Sequence, residues 1–507
     1  MPNSSRRGFL RSASVTAAGL TILKRMPARA ADAPVVAGPA TGASVQVWST
    51  FRDRRHASAQ PLTWQPVTTA IAADAIMVNP AETRQEMLGF GAAFTDAACY
   101  MLNQLSPDKR ATLMHELFAP DQMALNVCRT CIGASDYSKS LYSFDDSEQD
   151  DPKLEKFSID HDKAYILPLL REARKLNPDL FLFSSPWSPP AWMKFNRSML
   201  GGTIRKSNLE PYSRYFQKFL DAYKAEGVDI NAVTVQNEVD TTVDGRYAAC
   251  QWSQEDEILF VYKYLGPLFR QANIPTKIWV LDHNFTLWGR AIAELSDPRA
   301  YEFIDGIAWH GYAGQPSAMS QVHNAFPLKS AYFTEGGPQR EPRAAGAPFP
   351  DPMTAWARWA EWANHVVRNW CRSITMWNLA LDESGTPYIG HHEEGDIVPG
   401  APTTGRGVIT IDSKTLEVSR SGRFWALAHY TKHVRRGAKV FRTDGVSDIP
   451  GEASADPVSH VGFRNPDGSY VLVLSNCGPE KRIQLVLASS ALSLDLPADS
   501  VHTLQWS

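Results

Sequence analysis

Two stretches decide the reading of this chain, Ala232-Val233-Thr234-Val235-Gln236-Asn237-Glu238 and Ala331-Tyr332-Phe333-Thr334-Glu335-Gly336-Gly337. Each is a short apolar run that stops at a glutamate. Runs of this length and composition read as buried strands. In a barrel of parallel strands, residues at the C-terminal strand ends face one shared mouth. The two runs would then each deliver a carboxylate to the same rim.

Outward from these runs, strands alternate with amphipathic helices. A helix over 164–176 must take Pro168 in its first turn or kink there, and strand 180–185 follows it. Tyr212, Tyr215, Phe216, Phe219, Leu220 and Tyr223 recur at helical spacing before the Glu238 strand. Helix 255–270, strand 277–282, helix 288–295, strand 303–309, a helix near 316–325, the Glu335 strand, helix 353–370 and strand 373–378 complete the series. Repeated alternation implies parallel strands with crossover helices. Asp96, Asp136, Trp187, Glu238, Asp282, His310, Glu335 and Asn378 all fall at or just past strand ends. The glutamates lie 97 residues apart. At ~30 residues per strand–helix unit that is about three units, which suits barrel strands four and seven.

The flanks differ. Gly462 to Leu474 reads as a hairpin around Pro466-Asp467-Gly468, and strand signals continue over 483–487 and 502–506. The expected organisation is a twin-arginine signal peptide (1–31), a linker (32–43), N-terminal strands joining a β-sandwich (44–78), a (β/α)8 TIM barrel (79–419) and an antiparallel β-sandwich domain (420–507). The leader rests on Ser5-Arg6-Arg7-Gly8-Phe9-Leu10-Arg11, the weakly apolar 13–23 and Ala28-Arg29-Ala30. Export to the periplasm or beyond is the expectation.

With 507 residues, 44% hydrophobic, the chain has material for a large core. A net charge of −3 gives no electrostatic case for nucleic acid or an anionic membrane surface. No run of ~20 apolar residues suggests stable membrane insertion. Cys128 and Cys131 have C-x-x-C spacing but sit in a strand, where positions three apart face opposite sides. The six cysteines are read as free thiols and not as a disulfide scaffold. His391-His392-Glu393-Glu394 lacks a third spaced ligand. No metal and no cofactor is expected.

The rim residues suggest chemistry. Two carboxylates flanking a sugar are the minimum for cleaving a glycosidic bond, one as acid/base and one as nucleophile. Glu238 fits the acid/base, with Asn237 placed to hydrogen-bond a sugar 2-OH. Glu335 fits the nucleophile, its following glycines allowing close approach. Ser185 to Lys194 is a proline-stiffened turn carrying Trp187 and Trp192 as candidate sugar platforms. His310 and Tyr312 could tune a neighbouring carboxylate.

The ordered set Gly89 to Ala98, Ser135-Asp136-Tyr137-Ser138, Ser185 to Trp192, Thr234 to Glu238, Trp309 to Tyr312, Phe333-Thr334-Glu335, Trp377 to Asp382 and Phe424 to Tyr430 resembles glycoside hydrolase family 30. The resemblance implies a (β/α)8 barrel with a side β-sandwich built from both chain ends. It implies a retaining mechanism with Glu238 as acid/base and Glu335 as nucleophile. Asp96, Trp187, Asn237 and Trp377 look like the residues that hold the sugar, Asp96 accepting from distal hydroxyls and Trp377 lining the apolar side. Val239 departs from the family's usual proline. The expected activity is retaining hydrolysis of β-linked glucosyl units, in a carbohydrate or glycolipid such as a glucosylceramide-like glycoside or β-1,6-glucan, with Glu335 ionised and Glu238 starting protonated. A β-xylosidase, xylanase or β-galactosidase on the same scaffold is an alternative. A carbohydrate-binding protein without catalysis is another.

Overall fold

A computed structural model describes residues 42–68, 70–241, 247–338, 351–390, 407–445 and 458–507. The leader, most of the linker and His391-His392-Glu393-Glu394 lie outside the described residues. Eight parallel strands close a barrel: β1 (Gly89–Phe94), β2 (Val127–Cys131), β3 (Phe181–Ser185), β4 (Ala232–Thr234), β5 (Lys277–Asn284), β6 (Ile304–His310), β7 (Ser330–Glu335) and β8 (Cys371–Met376). Glu238 follows β4 and Glu335 ends β7. The barrel is plugged, not hollow. Val127, Phe183, Ala232, Trp279, Ala308 and Tyr332 form one buried cluster, with Trp279 stacked on Tyr332 at 3.9 Å between centroids. This apolar layer floors the site above it.

Two register slips matter for that site. Between β5 and β6 the pairing passes from Leu281↔Ala308 to His283↔Trp309, so Asp282 is one residue too many. Between β6 and β7 it passes from Trp309↔Phe333 to His310↔Glu335, so Thr334 is the extra. A bulge re-aims side chains that alternation would send to opposite faces. Asp282 and His283 therefore both reach the mouth, as do Thr334 and Glu335.

The sandwich is assembled from both ends of the described chain. Strand Ser44–Phe51 pairs antiparallel with Ser500–Trp506, Val47 opposite Leu504. Val458–Arg464 pairs with Tyr470–Asn476 across the Pro-Asp-Gly turn. Val45, Trp64, Leu472, Leu485, Leu504 and Trp506 fill its core. The expected boundaries both move. Strand Ile76–Glu86 pairs with Lys439–Asp444 along its whole length, so the sandwich runs past residue 79. Helix Gly422–Thr431 belongs with the barrel: Tyr430 rests on Phe90 of β1 at 5.3 Å and donates to Asn364 Oδ1 at 2.7 Å in helix Trp356–Arg368. The first barrel residues therefore lie near 89, and the last barrel helix beyond 420.

Two helices differ from expectation. Helix Asp160–Leu176 starts a turn early, which leaves Pro168 in its interior. The expected single helix 255–270 is interrupted by a π-turn over Val261–Leu265, followed by Gly266-Pro267. Cys128 and Cys131 are buried in β2, and the six cysteines are free.

Candidate active site

Arg129 is the centre of the site. It lies on β2, two residues above Val127 on the same face, and is fully buried. All five of its N–H groups have acceptors. Nε donates to Ser185 Oγ at 3.2 Å, and Nη1 to Glu335 Oε2 at 2.5 Å and Thr334 O at 3.4 Å. Nη2 donates to Asn237 Oδ1 and to Asp282 Oδ2, each at 2.8 Å. Burial opposes its charge, but Asp282 and Glu335 outweigh that and hold it protonated. A guanidinium is the group whose fork can serve two carboxylates and an amide at once.

Glu335 is fixed from two sides, by Arg129 on Oε2 and by the Tyr312 hydroxyl, which donates to Oε1 at 2.9 Å. Burial pushes its carboxyl up, against the charges of His310 and Arg129. Both hydrogen-bond partners are donors, so the ionised form is the one the site serves, as a nucleophile requires. Gly336, at φ +115°, lets the chain turn away; a Cβ there would stand 2.7 Å from the Gly311 nitrogen.

Glu238 takes φ +54°, a left-handed conformation stabilised by its N–H donating to Asp282 O at 2.9 Å. Residues kept in this region cluster at functional sites. Its Oε2 accepts from Thr241 Oγ1 at 2.9 Å, and His310 Nδ1 stands 3.3 Å from Oε1. Burial would raise this carboxyl, but the His310 hydrogen bond, the charges of His283 and His310, and Thr241 pull it down to about 2. Burial would lower His310, but Glu335, Asp282 and Glu238 bring it up to about 9. The two shifts run in opposite directions, and both favour the shared proton on His310 over Glu238 in the substrate-free site. The imidazole is a reservoir one hydrogen bond from the acid that must use the proton.

The other expected site residues separate. Asn237 gives its Oδ1 to Arg129, which leaves the Nδ2 hydrogens to donate to a sugar hydroxyl. Trp187 and Trp377 stack on each other at 5.1 Å and 17°, with the Arg129 guanidinium 4.6 Å from the Trp187 ring. They are 2% and 8% exposed, so they wall the pocket and do not offer open platforms. Trp192 is buried and donates to Asp145 Oδ2 at 2.7 Å, a structural role. Asp96 has local partners for both carboxylate oxygens. It opens helix Asp96–Gln104, its Oδ2 accepts from the Lys139 N–H at 2.7 Å, and its Oδ1 accepts from the Tyr165 hydroxyl.

Asp136, on the same rim, feels the charges of both glutamates. It is half-buried, and its Oδ1 has no hydrogen-bond partner among the described residues. Burial, then the charges of Glu335 and Glu238, push its carboxyl well above the usual range. An oxygen so placed is made to meet a polar ligand group. Asp136 and Asp282 were visible on the rim in sequence but had no assigned role. Arg129 and His283 were missed. The signal for Arg129 was a charged residue inside an otherwise apolar strand. For metals, Glu238, His283 and His310 each offer a donor atom, all within 4.8 Å of one another.

A closed parallel barrel with two glutamates, each held by hydrogen bonds at its C-terminal rim, defines a barrel glycoside hydrolase. The profile of the glycosyl hydrolase family 30 TIM-barrel domain matches residues 87–432, and that of the family 30 beta sandwich domain matches 447–504. The chain belongs to glycosyl hydrolase family 30, and it is an enzyme of that family. It is 32% identical over 408 residues to an endo-1,6-beta-D-glucanase of Neurospora crassa, covering 78% of this chain and 80% of that one. It is 26% identical over 455 residues to the lysosomal acid glucosylceramidase of Mus musculus, covering 85% and 83%. Among solved structures, the endo-beta1,6-glucanase BT3312 superposes with a TM-score of 0.76 at 28% identity, covering 92% of this chain and 99% of that one.

Proposed function

We propose that this chain hydrolyses β-linked glucosyl units with retention of configuration, β-1,6-glucan foremost. The observation that carries the mechanism is the division of labour between the glutamates. Glu335 is held ionised by Arg129 and Tyr312, while Glu238 sits beside a protonated His310. Glu335 attacks the anomeric carbon and forms a glycosyl-enzyme. Glu238 passes the proton to the leaving oxygen and then activates water. The preference for β-1,6-glucan is supported by relatives named for that activity at 32% and 28% identity. A glucosylceramide-like glycolipid is the second reading, supported by a relative at 30% identity named putative glucosylceramidase 3, from Caenorhabditis elegans. Among the described residues no helix is long and apolar enough to cross a membrane. The Arg6-Arg7 leader supports export by the twin-arginine route.

The test is reducing-sugar release from linear β-1,6-glucan, glucosylceramide, and aryl β-D-glucoside, xyloside and galactoside, with Glu335→Gln alongside. β-1,6-Glucan should turn over fastest, and the mutant should lose at least ~10³-fold. Turnover of the xyloside or galactoside alone would assign a different sugar. Binding without turnover would return the chain to the carbohydrate-binding class.

A further inference from the structure

Two imidazoles converge on one oxygen of Glu238. His310 Nδ1 stands 3.3 Å from Oε1, and His283 Nδ1 stands 3.7 Å from the same atom. The far nitrogen of each ring is held by a carboxylate: His310 Nε2 by Asp282 at 2.9 Å, His283 Nε2 by Asp240 at 2.5 Å. A partner on Nε2 sets which nitrogen the ring turns outward. Carboxylates behind histidines in this way are the usual outer support of a metal site, where they orient the ring and raise its basicity.

A second observation points to a ligand. His283 is only 6% exposed, yet its Nδ1 has no hydrogen-bond partner among the described residues. The gap to Glu238 is too long for a hydrogen bond and suits an ion shared between them. In a tetrahedral zinc site with ligands at ~2.1 Å, donor atoms stand ~3.4 Å apart. The three donors here lie within 4.8 Å of one another, and two of the three edges measure 3.3 and 3.7 Å. His310 is fixed through Asp282, which also accepts from Arg129, Thr234 and Thr334. Among the described residues His283 is anchored through its Nε2 by the half-exposed Asp240 and is the ring that can close on the ion.

We propose that Glu238, His283 and His310 form a site for a divalent transition metal, Zn2+ fitting best, and that an ion there silences the enzyme by occupying its acid/base. Two imidazoles and one carboxylate suit Zn2+, Co2+ or Cu2+ over Mg2+ or Ca2+. The ion is an inhibitor and not a cofactor, since it takes the carboxylate that must carry the proton. The inhibitory half rests on the glycosidase reading; the binding half does not.

The experiment titrates metal-stripped full-length protein with Co2+, read by visible absorption, and then with Zn2+, read by calorimetry and by aryl β-glucoside turnover. One equivalent of Co2+ should give the absorption of a four-coordinate site and be displaced by Zn2+. Turnover should fall in step with Zn2+ occupancy and return with EDTA. His283→Leu should weaken binding at least ~10-fold, and so should Asp240→Asn, which keeps all three donors and removes only an outer support. Absence of saturable one-equivalent Co2+ binding would overturn the site, as would unchanged affinity in folded His283→Leu. A protein that binds Co2+ this way but cleaves no glycoside keeps the metal site and loses the glycosidase reading.

Discussion

Arg129 and Glu335 form an ion pair of 2.5 Å, fully buried on the arginine side, that joins barrel strand β2 to the residue at the end of β7. The same guanidinium reaches Asn237 and Asp282. One side chain thus sets the position of the nucleophile, of the amide beside the acid/base, and of the aspartate that orients His310.

Removing that side chain should be costly twice over. Arg129→Met leaves Glu335 and Asp282 as buried carboxylates with only the His310 imidazolium for a cation, and breaking such a pair costs about 3–5 kcal/mol. Arg129→Lys keeps the charge but loses the fork, so it should retain more stability than activity. Thermal melts and kcat of the two variants check this. Equal stability of Arg129→Met and the parent would contradict the network.

The His310–Glu238 pair makes a statement about pH. The pair holds one proton up to about 9, the value to which Glu335, Asp282 and Glu238 raise His310. Above it the proton is lost and Glu238 has nothing to donate. The basic limb of kcat/KM should therefore fall near pH 9 and belong to the pair as a whole. His310→Gln removes the reservoir and should move that limb down by more than about one pH unit. A limb that stays in place would assign the proton elsewhere.

Asp136 and Asp96 can be told apart. Asp136→Asn should lower kcat/KM by about 10²-fold or more with little change in melting temperature, because its Oδ1 has no protein hydrogen bond to lose among the described residues. Asp96→Asn should act through stability, since its oxygens serve the Lys139 N–H and the Tyr165 hydroxyl. The opposite pattern would restore Asp96 as the sugar contact.

These assignments show what could be read in one dimension. A glutamate that ends an apolar run is visible as a sequence feature, and so Glu238 and Glu335 stood out at strands four and seven. Alternation cannot reveal a bulge, because a slip of one residue has no compositional mark. His283, displaced by the extra Asp282, was therefore invisible. Arg129 lay between two cysteines whose spacing drew attention to the wrong chemistry. Asp96 was read as the sugar contact and Asp136 only as a rim residue; in the fold Asp96 is the first residue of a helix capped by Thr95, and its carboxylate has local partners. The early edge of the barrel was hidden by Pro80, which sits inside strand Ile76–Glu86, a position that normally argues against a strand.

Acid should unfold the protein from the junction between barrel and sandwich. His433 and His502 are buried there, and burial lowers each to about 4. His433 Nδ1 donates to Gln505 Oε1 at 3.1 Å, and His502 Nδ1 pairs with Ser49 Oγ at 2.9 Å. Both are neutral in the fold and protonate near 6.5 when unfolded. Their contribution is complete above pH 6.5 and is lost as pH falls towards 4. At ~1.4 kcal/mol per pKa unit, the two together cost the fold on the order of 7 kcal/mol once both have protonated. Melting temperature should drop by roughly 5 °C between pH 6.5 and 4.5. A flat profile over that range would show that these rings are hydrated.

The central claim is that Glu335 forms a covalent bond to the sugar. The direct measurement is mass spectrometry of the full-length protein after incubation with 2-deoxy-2-fluoro-β-D-glucosyl fluoride, followed by peptide mapping. One added fluoroglucosyl group on the peptide containing Glu335, and none in Glu335→Gln, is the expected result. A label on Glu238, or turnover of β-glucosides with no trapped adduct under any condition, would contradict the assignment.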